Sequence, residues 1–159
     1  MKRVFSLILA AMMAIALTAC GNAAEEQNRG FETGDVQTLV EAGVFSEELE
    51  ELDADVAFAL YHLGDYGLER EALIEAAVVR SAGATCEEAA VLIFADENAA
   101  EKAEEALEDY LDGQTESNAN YRPNEIPKLE NAILEEEAKS IVLVVAQNAE
   151  KAQEILKLD

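Results

Sequence analysis

Residues 73–95 read LIEAAVVRSAGATCEEAAVLIFA, two apolar runs separated by a short polar turn. The runs, residues 73–81 and 86–95, have the length and the Val, Ile and Ala content of strands. Ala82-Gly83-Ala84-Thr85 between them is a hairpin-sized connection. Beyond this hairpin the period changes from a strand's to a helix's. Over residues 98–112 one side carries Ala99, Ala103, Ala106, Leu107, Tyr110 and Leu111, and the other carries Glu101, Lys102, Glu104, Glu105 and Glu108. After a loop around Pro123 and Pro127, residues 132–137 and 140–146 (SIVLVVA) predict a second pair of strands, and residues 149–156 a second helix. The order is ββα twice. It predicts an α+β fold, a two-layer sandwich in which an antiparallel four-stranded sheet carries its helices on one face.

The two halves also resemble each other in detail. Phe94-Ala95-Asp96 before Glu101-Lys102-Ala103-Glu104-Glu105-Ala106-Leu107 parallels Val145-Ala146-Gln147 before Glu150-Lys151-Ala152-Gln153-Glu154-Ile155-Leu156, with a gap of two residues. Short N-terminal helices precede this body. Residues 35–42 (DVQTLVEA) place Val36, Leu39 and Val40 on one face, with Asp35 positioned to cap and Gly43 to stop the helix. Residues 47–60 repeat apolar side chains at Leu49, Leu52, Val56 and Leu60, which predicts a second helix or irregular helical stretch.

The first twenty residues have a different character. Lys2 and Arg3 precede an apolar run from Val4 to Leu17 that only Ser6 interrupts, the charged and apolar regions of an export signal. At about 1.5 Å per residue the run is shorter than the roughly 30 Å hydrocarbon core of a bilayer, so it reads as a removable signal. It ends in Leu17-Thr18-Ala19-Cys20-Gly21, which resembles a lipobox. A thiol is a strong nucleophile and accepts a diacylglyceryl group as a thioether. Residues 1–19 are therefore expected to be a lipoprotein signal peptide, Cys20 the lipidated residue, residues 20–34 a tether and residues 35–159 one domain. Lipidation leaves Cys86 alone, without an intramolecular disulfide, as a small buried hydrophobe.

Charge narrows the partners. Against 34 acids stand 11 lysines and arginines, a formal net charge of −23. Loss of Lys2 and Arg3 would make it more negative still. Nucleic acid and anionic headgroups are disfavoured, because each phosphate contact needs a cation. The acids themselves are expected to solvate the surface rather than form a site. Glu87-Glu88 and Glu135-Glu136-Glu137 are pairs that composition alone supplies, and general acid–base work would require one of them to be buried with a raised pKa. The chain lacks an Asp-x-Asp-x-Asp-Gly calcium loop, and no metal or cofactor is expected. His62, the one histidine, and the Tyr121-Arg122 pair beside Pro123 are the candidate recognition residues, in the Asn-, Gln- and Ser-rich stretch from 112 to 127 for the latter two.

Taken together, the lipobox, the Leu60-Tyr61 to Tyr66-Gly67-Leu68 approach, the Ser81-Ala82-Gly83-Ala84 hairpin, Glu87-Glu88, the Ala/Glu helix and Tyr121-Arg122-Pro123 resemble the Gram-positive lipoproteins grouped as domain of unknown function 4358 (DUF4358). The resemblance spans roughly residues 53–156 and lends no catalytic residue. It implies a membrane-attached extracytoplasmic domain, held through lipid on Cys20. The expected role is a non-enzymatic binding or interaction module with an envelope protein as partner, the oligomeric state left open. The alternatives are a small solute-binding accessory of a transporter and a carboxylate-dependent hydrolase.

Overall fold

The computed structural model describes residues 30–158. Helix α1 (Gly34–Ala42) leads to the short strand β1 (Glu50–Leu52) and helix α2 (Ala54–Leu60), and two 3-10 turns (Leu63–Tyr66 and Arg70–Ala72) follow. The expected hairpin is β2 (Leu73–Arg80) and β3 (Glu88–Phe94). Helix α3 (Glu97–Asn118) and the short α4 (Ile126–Glu130) connect it to a second hairpin, β4 (Ile133–Glu137) and β5 (Ser140–Val145), and α5 (Ala149–Leu156) closes the chain. Asp96, accepting from the Ala99 N–H, caps α3, and Asn148, accepting from the Lys151 N–H, caps α5.

The fold is mixed α+β with an antiparallel sheet, as expected, but the sheet has five strands in the order β1-β2-β3-β5-β4. The added strand, β1, is only Glu50-Glu51-Leu52, paired with Arg80, Val79 and Val78. Three residues, two of them acids, carry no alternation for a sequence reading to detect, and charged short strands are the usual way to blunt a sheet edge. The helices do not share one face. Ala90, Leu92 and Phe94 of β3 and Ile141, Leu143 and Val145 of β5 pack against Ala57, Tyr61, Ala103, Leu107 and Leu129. Their alternates, Ala89, Val91, Val142 and Val144, pack against Phe31, Val36, Leu39 and Ala152. Helices α2, α3 and α4 cover one face and α1 and α5 the other, so the domain has three layers rather than two. The unbroken SIVLVV run is the physical sign of this, since a strand buried on both sides has no solvent face to supply polar alternates.

The resemblance between the two halves therefore does not place their helices alike. Two residues connect β3 to α3 and three connect β5 to α5, and the helices pack on opposite faces. Helix α3 also runs six residues past Asp112, so part of the expected recognition loop is helical. Thr115 Oγ1 and Asn118 Nδ2 donate to the Leu111 and Gln114 carbonyls along the helix's own surface.

The folded body begins earlier than the expected boundary at 35. Phe31 is 7% exposed, and its N–H donates to Ser140 Oγ at 2.6 Å. A Cβ at Gly30, where φ is +69°, would sit 2.7 Å from that oxygen, so this approach requires glycine. Within residues 30–34, expected as the end of a tether, Phe31 is thus part of the core. Gly43 ends α1 in the left-handed region as expected, but Thr33 holds the N-cap position, and Asp35 instead accepts from the Glu32 N–H. Cys20, the signal and the rest of the tether lie outside the described residues. Among the described residues no helix is long and apolar enough to cross a membrane.

Candidate functional site

Glu87 and Glu88, set aside by composition, are the two most deeply buried acids described, at 0% and 2% exposure. Glu88 opens β3 and Glu87 directly precedes it, and successive residues of an extended chain point to opposite faces. Glu88 Oε2 accepts from the Tyr110 hydroxyl at 2.8 Å and lies 3.3 Å from Arg80 Nε. Burial raises its carboxyl to about 7, against the lowering effect of the Tyr110 hydrogen bond and the Arg80 charge. The same burial, with the Glu88 charge beside it, pushes the Tyr110 hydroxyl far above its ordinary value. Tyr61, fully buried, meets Tyr110 edge to face, centroids 5.0 Å apart at 85°. Burial and Glu88 raise its hydroxyl as well. Glu88 thus meets the criterion for acid–base work that its sequence could not reveal, and does so behind protein rather than in a cleft.

An open cleft of about 340 Å³ lies over this cluster, lined by Tyr61, His62, Asp65, Tyr66, Asp109 and Tyr110 together with Ala106. His62 occupies a left-handed conformation at φ 53° that starts the first 3-10 turn. Its Nδ1 lies 3.5 Å from Asp65 Oδ2, with both side chains largely exposed. The Tyr66 hydroxyl donates to Asp109, which, with minor help from partial desolvation and neighbouring acids, pushes its pKa up to about 12. Carboxylates and tyrosine rings make this a wall suited to a cationic group.

Glu87 serves a different purpose. Its Oε2 accepts from the Ser46 N–H and Oγ–H at 2.8 and 2.9 Å, and Lys128 Nζ lies 3.1 Å from Oε1. Lys128 also pairs with Glu125, whose carboxylate accepts from the Cys86 N–H. Burial alone would lower the Lys128 pKa, but its hydrogen bonds to Glu125 and Glu87 outweigh that and hold it above the ordinary value. Nearby, Glu47 accepts from the Ser81 and Thr85 hydroxyls, which hold its carboxyl below the usual range. Arg122 donates to the Gly83 and Thr85 carbonyls and to Asn118 Oδ1. The hairpin turn is clamped from both sides.

The candidate recognition residues are thereby separated. Arg122 is engaged in holding the turn, its neighbour Tyr121 is 88% exposed, and His62 lines the cleft, which neither of them enters. Cys86 is a free, buried cysteine whose thiol burial pushes up, as its reading as a small hydrophobe anticipated. Among the described residues no group of three or more His, Cys, Asp or Glu side chains is placed to hold a metal ion.

Fold and site define a three-layer α+β domain whose antiparallel sheet encloses a buried, near-neutral carboxyl. The chain belongs to the family described as "Domain of unknown function (DUF4358)", whose model matches residues 63–146. The match runs through both hairpins, α3 and α4, and so includes Glu88, Tyr110 and Arg122. No curated protein and no solved structure matches the chain.

Proposed function

We propose that this protein is a lipoprotein of a Gram-positive bacterium, anchored through Cys20 to the outer face of the cytoplasmic membrane, where its domain acts as a non-enzymatic binding module. The observation that carries the reading is the ending Leu17-Thr18-Ala19-Cys20 after a short apolar run headed by Lys2 and Arg3. Cys20 lies ten residues before Gly30, the first described residue. At 3.3–3.6 Å per residue, that length of chain holds the domain within about 35 Å of the lipid. The binding role accords with how the polar groups are used. Glu87, Lys128 and Arg122 hold the hairpin and helices together, while the exposed surface offers acids and Tyr121 to a partner.

The test is metabolic labelling with a fatty-acid probe. Wild type and Cys86→Ala are expected to take up label equally, and Cys20→Ala to take up none and to be released or misprocessed. Labelling that followed Cys86 instead would overturn the anchor. One observation favours a second reading, a carboxylate-dependent hydrolase: Glu88 titrates near 7, where an acid–base catalyst works best. That reading requires a substrate to reach a side chain only 2% exposed. A hydrolytic activity of the wild type that is lost in Glu88→Gln, with the fold intact, would establish it.

A further inference from the structure

A groove of about 580 Å³ runs along the outer edge of the sheet between α1, β1 and β2. It exists because the two strands differ in length. β1 has three residues and β2 has eight, and the last pair is Leu52 with Val78. Residues 73–77 of β2 continue past that pair with no strand on that side among the described residues.

The ladder tells which backbone groups face the opening. The Ser81 N–H donates to the Glu87 carbonyl, and that pair continues the β2–β3 register. In an antiparallel ladder a residue's N–H and C=O point to the same side and the side alternates along the strand. Odd-numbered residues of β2 after the bulge therefore bond to β3, and even-numbered ones face β1. Ala76 presents its N–H and C=O to the open edge. Ile74, within the register shift between Leu73 and Glu75, is 57% exposed, the most exposed large aliphatic side chain described.

The charged residues that line the groove are acidic. Glu51 and Glu75 line the groove, and no lysine or arginine does. The two arginines at the ends of β2 are already engaged, Arg80 by Glu88, and Arg70 by Asp55 and the Leu73 carbonyl. A second copy of the chain would bring the same acids and another strongly negative domain to the edge, which disfavours self-pairing.

We propose that the open edge of β2 is a docking site for an extended, lysine- or arginine-bearing segment of a partner protein, which adds a strand beside β1. Five residues of strand span about 17 Å, enough for a short peptide to bond to Ala76, cover Ile74 and set cations against Glu51 and Glu75. The inference rests on the binding-module reading. Its test is independent of Cys20, so failure of the anchor and failure of the groove are read in separate experiments.

The probe is a capped seven-residue peptide alternating lysine and valine, titrated by calorimetry against the full chain in neutral detergent micelles at about 0.15 M salt, where long-range attraction is screened. Two controls accompany it, a glutamate–valine peptide and a lysine–valine peptide N-methylated at alternate amides. The lysine peptide is expected to bind, with the glutamate and N-methylated peptides weaker by at least about tenfold. Ala76→Pro removes an N–H that the β3 ladder does not use, so the melting temperature should hold while binding falls by a similar factor. Should that variant fail to fold, the exposed double reversal Glu51→Lys with Glu75→Lys replaces it and should invert the preference between the two peptides. Any of four results would overturn the proposal: no binding at about 1 mM peptide, equal affinity for both charges, indifference to N-methylation, or a wild-type dimer that Ala76→Pro dissociates.

Discussion

Replacing Glu88 with glutamine should remove a proton from the stability of this domain. The folded carboxyl titrates near 7, against an ordinary value of 4.5, chiefly because burial disfavours its charge. Between those two pH values the folded chain holds the proton more tightly than the unfolded chain does. The favourable contribution is complete below pH 4.5 and is lost as pH rises through 7. A shift of that size, at about 1.4 kcal/mol per unit, corresponds to about 3 kcal/mol at pH 8. Because Glu88 is only 2% exposed, solvent screening removes little of this. Glutamine keeps the acceptor for the Tyr110 hydroxyl and never ionises. Urea unfolding from pH 4 to 8 should therefore give a Glu88→Gln minus wild-type difference that grows from its low-pH value by about 3 kcal/mol, mostly between 4.5 and 7. The remaining carboxylates, whose mutual repulsion also weakens the fold as pH rises, cancel in that difference. A constant offset across the whole range, or a Glu88 carboxyl carbon that titrates below pH 5 by NMR, would refute the reasoning.

Other perturbations separate structural from exposed roles. Arg122→Ala should cost about 1–3 kcal/mol in urea unfolding, because two carbonyls of the hairpin turn and Asn118 lose a charged donor, whereas Tyr121→Ala, at a side chain 88% exposed, should change stability by no more than about 0.5 kcal/mol. Phe31→Ala should cost about 3 kcal/mol by the same assay, and an N-terminal truncation to Asp35 should be at least as damaging, since Phe31 belongs to the core. In the cleft, Asp109→Asn should bring the Tyr66 hydroxyl down from about 12 toward 10, read as an earlier phenolate absorbance step in alkaline titration.

What could be read from the chain followed from periodicity and turn chemistry. Both hairpins and the final helix lie within one or two residues of their expected positions, because β-branched runs bounded by Gly83 or by Ala138-Lys139 leave few other conformations. The layers were harder to see. An apolar run such as SIVLVV identifies a strand without saying that both its faces are buried, and only the three-dimensional path of α5 shows which face each helix takes. The buried carboxyls were illegible for a different reason. Glu87 and Glu88 stand among 34 acids, and what distinguishes them is Ser46, Lys128, Arg80 and Tyr110, which are distant in sequence and meet them only after folding. The one available signal was position, two acids directly preceding the AAVLIF run of a central strand.

The contact between Phe31 and Ser140 also decides how the domain would bear a mechanical load. Tension on the chain before Gly30 arrives first at the Phe31 ring and its bond to Ser140, the opening residue of β5. That strand is held by ladders on both sides, to β3 and to β4. Helix α1 and the three-residue edge strand lie farther along the chain and feel no pull until this contact yields. A pull from that side is thus met by a strand paired on both edges, and the three-residue edge strand is shielded from it.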